Sequence, residues 1–211
     1  KKKGSETMKK IIILLLLFLL IGLAKNSYAG EGLFKIAPEV GFSYHNVTSE
    51  YGGLSGTGWA LSWGAEGGYG LTEQLDIILR ANYASIDSIK YKNAKILNDT
   101  GTLEETFRDI LLGLGVKYYF DSGSEWVPYI GGGLDMHYLS FTDRNLLNDA
   151  GYRLQRAANK DEFTFGFNIG GGILYRINES FSVGLDPKFA YVFGSNRFYS
   201  FTIPLIFTYT F

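Results

Sequence analysis

Across residues 33–211 the chain alternates apolar and polar side chains in about eight successive stretches. A period of two puts alternate residues on opposite faces of an extended strand. Past residue 30 no apolar run approaches the roughly 20 residues that a helix needs to cross a bilayer. The chain must therefore pair strands with one another and find a cover for the apolar face of each.

The first stretch, 33–45, sets Phe34, Ile36, Val40, Phe42 and Tyr44 against Lys35, Ala37, Glu39, Gly41 and Ser43. The sixth, 163–177, is the cleanest, with Phe163, Phe165, Phe167, Ile169, Ile173, Tyr175 and Ile177 opposing Thr164, Gly166, Asn168, Gly170, Gly172 and Arg176. The other stretches fall at about 57–71, 75–86, 106–120, 126–140, 181–193 and 199–211. Pro38, Pro187 and Pro204 lie within such stretches and donate nothing to a ladder, so they are expected to mark bulges or kinks.

A soluble sandwich also alternates, but three features favour a barrel in lipid. Aromatic residues gather toward strand ends (Phe34 and Tyr44, Trp59 and Tyr69, Trp126 and Tyr138) while Ile, Leu and Val hold the middle, as two interfacial girdles around a hydrocarbon band require. The opposite face carries Lys35, Glu39, Glu66, Asp76, Arg80, Asp109, Lys117, Asp135, Arg176, Asp186 and Lys188, five basic against six acidic. With about eight strands an interior is just wide enough to be filled by side chains, so these charges are expected to form a nearly balanced lumen network that plugs the barrel, Glu66 pairing with Arg80. The connections also alternate: short at 72–74, 121–125 and 178–180, long at 46–56, 87–105 and 141–162. Only 194–197 is short on the long-loop side.

Lys9 and Lys10, the apolar run 11–23 and Ser27-Tyr28-Ala29 read as a cleavable signal peptide, cut after Ala29, with residues 1–7 as an upstream extension. Residues 30–211 are then the barrel domain. The leader takes six of the 20 Lys/Arg and one of the 21 Asp/Glu, which leaves a remainder of formal charge −6. That balance speaks against nucleic acid as a partner. With no Cys there are no disulfides, no thiolate chemistry, no cysteine-held metal and no lipoprotein anchor.

The stretches Val127-Pro128-Tyr129-Ile130-Gly131-Gly132-Gly133-Leu134 and Gly113-Leu114-Gly115-Val116-Lys117-Tyr118-Tyr119-Phe120, with the closing strand that reaches Phe211, resemble the eight-stranded outer-membrane barrels of the OmpA/OmpX-like and opacity-protein-like, porin-like group. The resemblance spans residues 30–211. It implies a transmembrane antiparallel up-and-down β-barrel in the Gram-negative outer membrane, with both termini periplasmic and the long loops outside. It also implies that Tyr209 and Phe211 belong to a signal read by the barrel-assembly machinery, with periplasmic chaperones as partners on the way. Lipid and lipopolysaccharide would surround the barrel, and Arg108 and the loop cations Lys90, Lys92, Lys95, Arg144, Arg153, Arg156 and Lys160 are candidates to meet lipopolysaccharide, a host surface or another extracellular ligand.

Other chemistries fit less well. The glycine runs 131–133 and 170–172 precede no helix that would complete a phosphate cradle. His45 and His137 lie on inner faces near the loop end, yet no short-range ligand pair marks a metal site. A lipid A-modifying triad can be drawn from His45, Asp87 and Ser88 or from His137 and Ser140, but residues 137 and 140 point to opposite faces of a strand. The sequence therefore points to a non-enzymatic structural and surface-interaction barrel without cofactor, with a narrow solute pore as the alternative.

Overall fold

The computed structural model describes residues 31–48, 54–96, 99–120, 122–148 and 150–211, and the leader and its cleavage site lie outside them. Their regular structure consists of ten strands: β1 (Phe34–Thr48), β2 (Ser55–Gly70), β3 (Leu75–Ile96), β4 (Asp99–Tyr119), β5 (Trp126–Leu147), β6 (Arg153–Arg156), β7 (Lys160–Arg176), β8 (Phe181–Leu185), β9 (Lys188–Val192) and β10 (Phe198–Thr210). Every pairing is antiparallel. β1 pairs with β2 on one side and with β10 on the other, which closes the sheet into a ring. β8 and β9 form one stave between β7 and β10, so the ring has eight staves, and β6 adds to β5 beyond the ring. The all-β up-and-down barrel read from the alternation is the fold.

Pro187 separates β8 from β9 without moving the register: Leu185 faces Leu205 and Lys188 faces Thr202, as one uninterrupted ladder would place them. Pro204 is buried inside and faces Gly41. The expectation of bulges at the prolines is therefore corrected. A lost rung is cheaper than a slip, which would turn every later side chain to the wrong face. The register shifts fall instead between Ile86 and Ile89, Tyr91 and Ala94, Glu104 and Thr106, and Leu146 and Leu147.

Apolar side chains cover the outside of the ring, among them Trp59 at 69% exposure and Leu134 at 72%. Aromatic pairs line both margins of this band. At the end carrying the short turns, Phe34 meets Tyr69 at 5.0 Å and Trp126 meets Tyr175 at 4.9 Å. At the loop end, Tyr44 meets Trp59 at 5.2 Å and Tyr138 meets Phe163 at 4.8 Å. Such sorting by depth suits a hydrocarbon layer with two interfaces.

Two of the expected long loops are largely strand. β3 runs on to Ile96 and β4 starts at Asp99, while β5 extends to Leu147 and is joined by β6. Alternation continues past the aromatic margin with a different outer face. Ile89, Tyr91, Ala94, Leu103 and Phe107 point inward and are buried, whereas Lys90, Lys92 and Lys95 point to solvent. The β2–β3 ladder stops at Leu61 and Ser85, beyond which β3 leans over the mouth. Gly56 and Gly58 of β2 make room for it: a Cβ on Gly56 would lie 2.5 Å from Ile89, and one on Gly58 2.6 Å from Ile86.

Candidate functional site

The inward-facing residues form layers. Nearest the short turns, Ala37, Tyr129, Leu174 and Ile206 make a small apolar cluster with Tyr119 and Val127 against it. At the loop end a larger apolar cluster joins Val47, Ile86, Ile89, Tyr91, Phe107, Leu139, Phe141 and Phe198. Between the two lies the charge network.

Antiparallel register brings the network together from distant parts of the chain. Lys188 of β9 reaches Glu39 of β1 at 2.7 Å, Glu66 of β2 at 2.8 Å and Asp186 at 3.0 Å. Lys117 of β4 bridges Glu66 at 2.5 Å and Asp186 at 3.0 Å, and Lys35 meets Asp76 at 2.7 Å. Arg80 stands opposite Glu66 in the β2–β3 ladder, with its Nε 3.6 Å from the carboxylate. The Asn82 amide donates to Glu39. Tyrosine rings close the lower side, Lys35 lying 4.5 Å from the Tyr119 centroid and Lys117 4.8 Å from that of Tyr129. Donor atoms of Glu39, Glu66 and Asp186 lie within 4.8 Å of one another, a spacing that would suit a metal. Two ammonium groups already occupy that position. Each buried charge here is costly alone and tolerable only because several opposite charges surround it.

Two corrections apply to the eleven residues expected in the network. Arg176 is exposed at the end of β7, where the strand enters the turn, and takes no part. Asp109 and Asp135 are buried in the lumen but make no ion pair with the network bases; they line a cavity nearer the loop end that Arg80 and Lys188 also line, and Asn168 joins Asp135 to Arg80. What remains is four acids (Glu39, Glu66, Asp76, Asp186) against four bases (Lys35, Arg80, Lys117, Lys188), a balanced set.

The chamber is a cavity of about 50 Å³ lined by Ser43, His45, Arg80, Asp109, Asp135, His137 and Lys188, among others. His137 directs Nδ1 at both carboxylate oxygens of Asp109, each 3.0 Å away, and His45 Nε2 lies 2.8 Å from the Ser43 hydroxyl. Asn168 links the chamber to the network: its Nδ2 donates to Asp135 at 2.7 Å, and its Oδ1 accepts from Arg80 at 3.2 Å. Phe198 roofs the chamber, 5.6 Å from the His45 ring and 5.7 Å from the His137 ring. The histidine with a carboxylate and the histidine with a hydroxyl are different residues, so no hydroxyl–imidazole–carboxylate relay forms from these bonds. Ser140 stands opposite Arg108 on the outward side of β5, and Ser88 donates to Glu104 on the β3–β4 extension.

At the loop rim Glu162 accepts from the Ser195 amide and hydroxyl, both at 2.8 Å, and from Asn196 at 3.2 Å, with Lys160 at 3.5 Å. Partial burial pushes its carboxyl up, but these bonds together outweigh burial and hold it below the usual glutamate range. Deeper in the extension Arg144 pairs with Glu105 at 2.8 Å, both buried. Arg144 is thus committed inside, whereas Lys90, Lys92, Lys95, Arg108, Arg153 and Arg156 are exposed. The terminal pair sits at the closing seam: the Phe211 amide donates to the Phe34 carbonyl at 2.8 Å, and the Tyr209 and Phe211 rings are 4.9 Å apart.

The sequence reading missed both apolar layers and the two asparagines that link the charges. The signal was present in Ile78, Tyr119, Leu174 and Ile206, apolar residues on the polar side of their strands, and in the continued alternation of 87–105.

Residues 13–209 match the family model described as outer membrane protein beta-barrel domain. No curated protein matches the chain by sequence. Among solved structures, the chain is similar to the outer membrane protein OprG from Pseudomonas aeruginosa, with 19% identity and a TM-score of 0.53 over 87% of this chain and 98% of that one. It is also similar to Neisserial surface protein A, at 16% identity and a TM-score of 0.51 over 83% and 98% of the two chains. The N-terminal β-barrel domain of Pseudomonas aeruginosa OprF matches at 17% identity with a TM-score of 0.50, over 86% and 99%. At these identities the likeness is one of fold.

Proposed function

The chain belongs to the outer membrane protein beta-barrel domain family, and from that membership we propose that it serves the outer membrane as an occluded barrel with a structural and surface-interaction role and no chemistry of its own. The observation that carries the reading is the filled interior: an apolar layer, a balanced ion network and a second apolar layer follow one another along the axis. A solute would have to displace ion pairs whose separation leaves charges buried alone, a cost of several kcal/mol for each. Recording from the refolded protein in planar bilayers tests this. The expected result is no steady conductance, and a large, stable, open current would establish the pore instead.

On the same reading the leader is removed after Ala29 and the short turns and both termini face the periplasm. Tyr209 and Phe211 would then present the assembly signal to periplasmic chaperones and the barrel-assembly machinery. The extended β3–β6 sheet would stand outside the cell. Support for an outward interaction role is the row of exposed cations above the aromatic margin, Arg108 and Lys90 on the β3–β4 hairpin and Arg153 and Arg156 on β6, which suits lipopolysaccharide phosphate.

A further inference from the structure

Lys90, Arg156 and Lys160 at the loop rim are each matched by an acid: Glu104 at 3.6 Å, Asp143 at 3.8 Å and Glu162 at 3.5 Å. Arg108 is not. It is exposed, and among the described residues its guanidinium makes no ion pair and no hydrogen bond. Antiparallel register gives it a different setting, since on β4 it stands directly between Ser85 of β3 and Ser140 of β5. Ala84 and Ile86, Phe107 and Asp109, and Leu139 and Phe141 are buried inside, so the three residues between them point outward. Directly opposed residues have Cβ atoms about 4.5–5.5 Å apart, so a hydroxyl flanks the arginine on either side. Neither hydroxyl has a partner among the described residues.

Depth along the axis selects the ligand. Ile110, the next outward residue of β4 toward the short turns, lies between Tyr83 and Tyr138, and Tyr138 meets Phe163 in the aromatic margin. Arg108 is therefore one outward step above the row that marks the interface, at headgroup level, where its side chain can reach up from the apolar band. Lys90 and Lys95 face Glu104 and Thr100, farther along β4, which places them roughly 13 Å or more above Arg108 at the rise of a strand. A group held at the margin is within reach of Arg108 and out of reach of those lysines. Two acids bound the position. Asp161, opposite Ser140, accepts from the Tyr138 hydroxyl, and Asp87 lies in the bulge above Ser85; neither pairs with Arg108.

We propose that Ser85, Arg108 and Ser140 form a site for one phosphate monoester of a lipid headgroup, supplied by lipid A of lipopolysaccharide. The inference rests on the outward orientation of the loop end proposed above, and it narrows the contact from the exposed cations in general to one row across three strands. The guanidinium presents parallel N–H groups to two phosphate oxygens, and the serine hydroxyls donate to what remains. A monoester fits this set of donors because it carries three free oxygens and close to two negative charges. The phosphodiester of a phospholipid has only two free oxygens and one charge, which leaves a donor idle.

The barrel refolded in detergent is titrated with lipid A, with dephosphorylated lipid A or with phosphatidylglycerol, and native mass spectrometry counts the lipid retained. The expected result is one tightly held lipid A per barrel. Arg108→Gln should weaken it roughly tenfold or more, and Ser85→Ala or Ser140→Ala roughly 2–10-fold each. Lys92→Gln with Lys95→Gln should leave it unchanged, and dephosphorylated lipid A should bind weakly and ignore Arg108→Gln. Heat-modifiable migration confirms that each variant is folded. Binding indifferent to Arg108→Gln, an equal loss from the lysine pair, or phosphatidylglycerol held as tightly with the same dependence on Arg108 overturns the site. Protease added to intact cells reads the orientation separately. Cleavage within 87–105 with no effect of Arg108→Gln on lipid A binding sinks the site alone, whereas cleavage only after the outer membrane is permeabilised sinks the orientation.

Discussion

Gly41 of β1 faces Pro204 of β10 across the closing seam so closely that an added Cβ would lie 2.4 Å from the proline Cα and 2.4 Å from the Ile203 carbonyl oxygen. Both obstacles are backbone, so the seam itself must open to admit a side chain. Gly41→Val is expected to cost roughly 1–3 kcal/mol, as overpacking does, and to lower the temperature at which the folded gel band disappears. An unchanged transition would show that the seam is looser than this geometry.

Lys188 touches three carboxylates. Lys188→Met leaves Glu39, Glu66 and Asp186 around Lys117 and Arg80 alone and is expected to destabilise the barrel by about 3–5 kcal/mol. Urea unfolding in lipid vesicles measures the loss. Removing Glu39 as well, as Glu39→Gln, should restore part of it, which a purely steric effect of methionine would not allow.

Phe107 is fully buried at the loop end, with Phe141 at 5.2 Å and Phe198 at 5.5 Å. Phe107→Ala should cost about 3–5 kcal/mol locally and expose 87–105 to protease while the aromatic-bounded ring stays folded. Limited proteolysis followed by mass mapping reads both halves of this statement.

Leu112 lies mid-band on the outward face at 49% exposure. Arginine there is expected to cost roughly 2–4 kcal/mol in a bilayer, whereas Lys90→Ala, above the margin, should fall within about 0.5 kcal/mol of wild type. Equal effects at the two positions would contradict the membrane placement of the band.

Glu162 supplies the pH dependence of the loop rim. Its carboxyl titrates lower when bonded to Ser195, Asn196 and Lys160 than in the unfolded chain, where the ordinary value is 4.5. The stabilisation is therefore present above that value and fades as pH falls through the lower, folded one. Amide exchange at Ser195, corrected for intrinsic rate, should lose protection over that acidic window. Glu162→Gln should show weaker protection that does not change with pH.

Strand number, the outward apolar band and the inward position of nearly every charge expected there were legible because a two-residue period leaves little freedom once one face is assigned. Phe163 to Ile177 shows this: each residue of the alternating set points as its parity requires. The expectation failed where bulges shift the parity and the outer environment changes. In 87–96 lysines are prominent among the exposed residues and two bulges interrupt the alternation, so the segment looked like a solvated loop, although Ile89, Tyr91 and Ala94 point inward. Arg176 shares the parity of the network residues and was misjudged because parity fixes a face, not a depth along the axis. The chamber was out of reach for a related reason: His45, Asp109 and His137 meet only through the stagger of three strands, and a single sequence does not set that stagger.

The closing seam sets an order on biogenesis. One edge of β1 is occupied by β2, its immediate successor, but the other waits for residues 198–210. Hairpins can zip in succession from the first strand onward, yet the growing ribbon keeps a bare row of amides and carbonyls along β1 until the final stave arrives. A chain folded only part of the way to β10 therefore presents two bare edges, that of β1 and that of its latest strand, and both are templates for wrong partners until residues 198–210 join them.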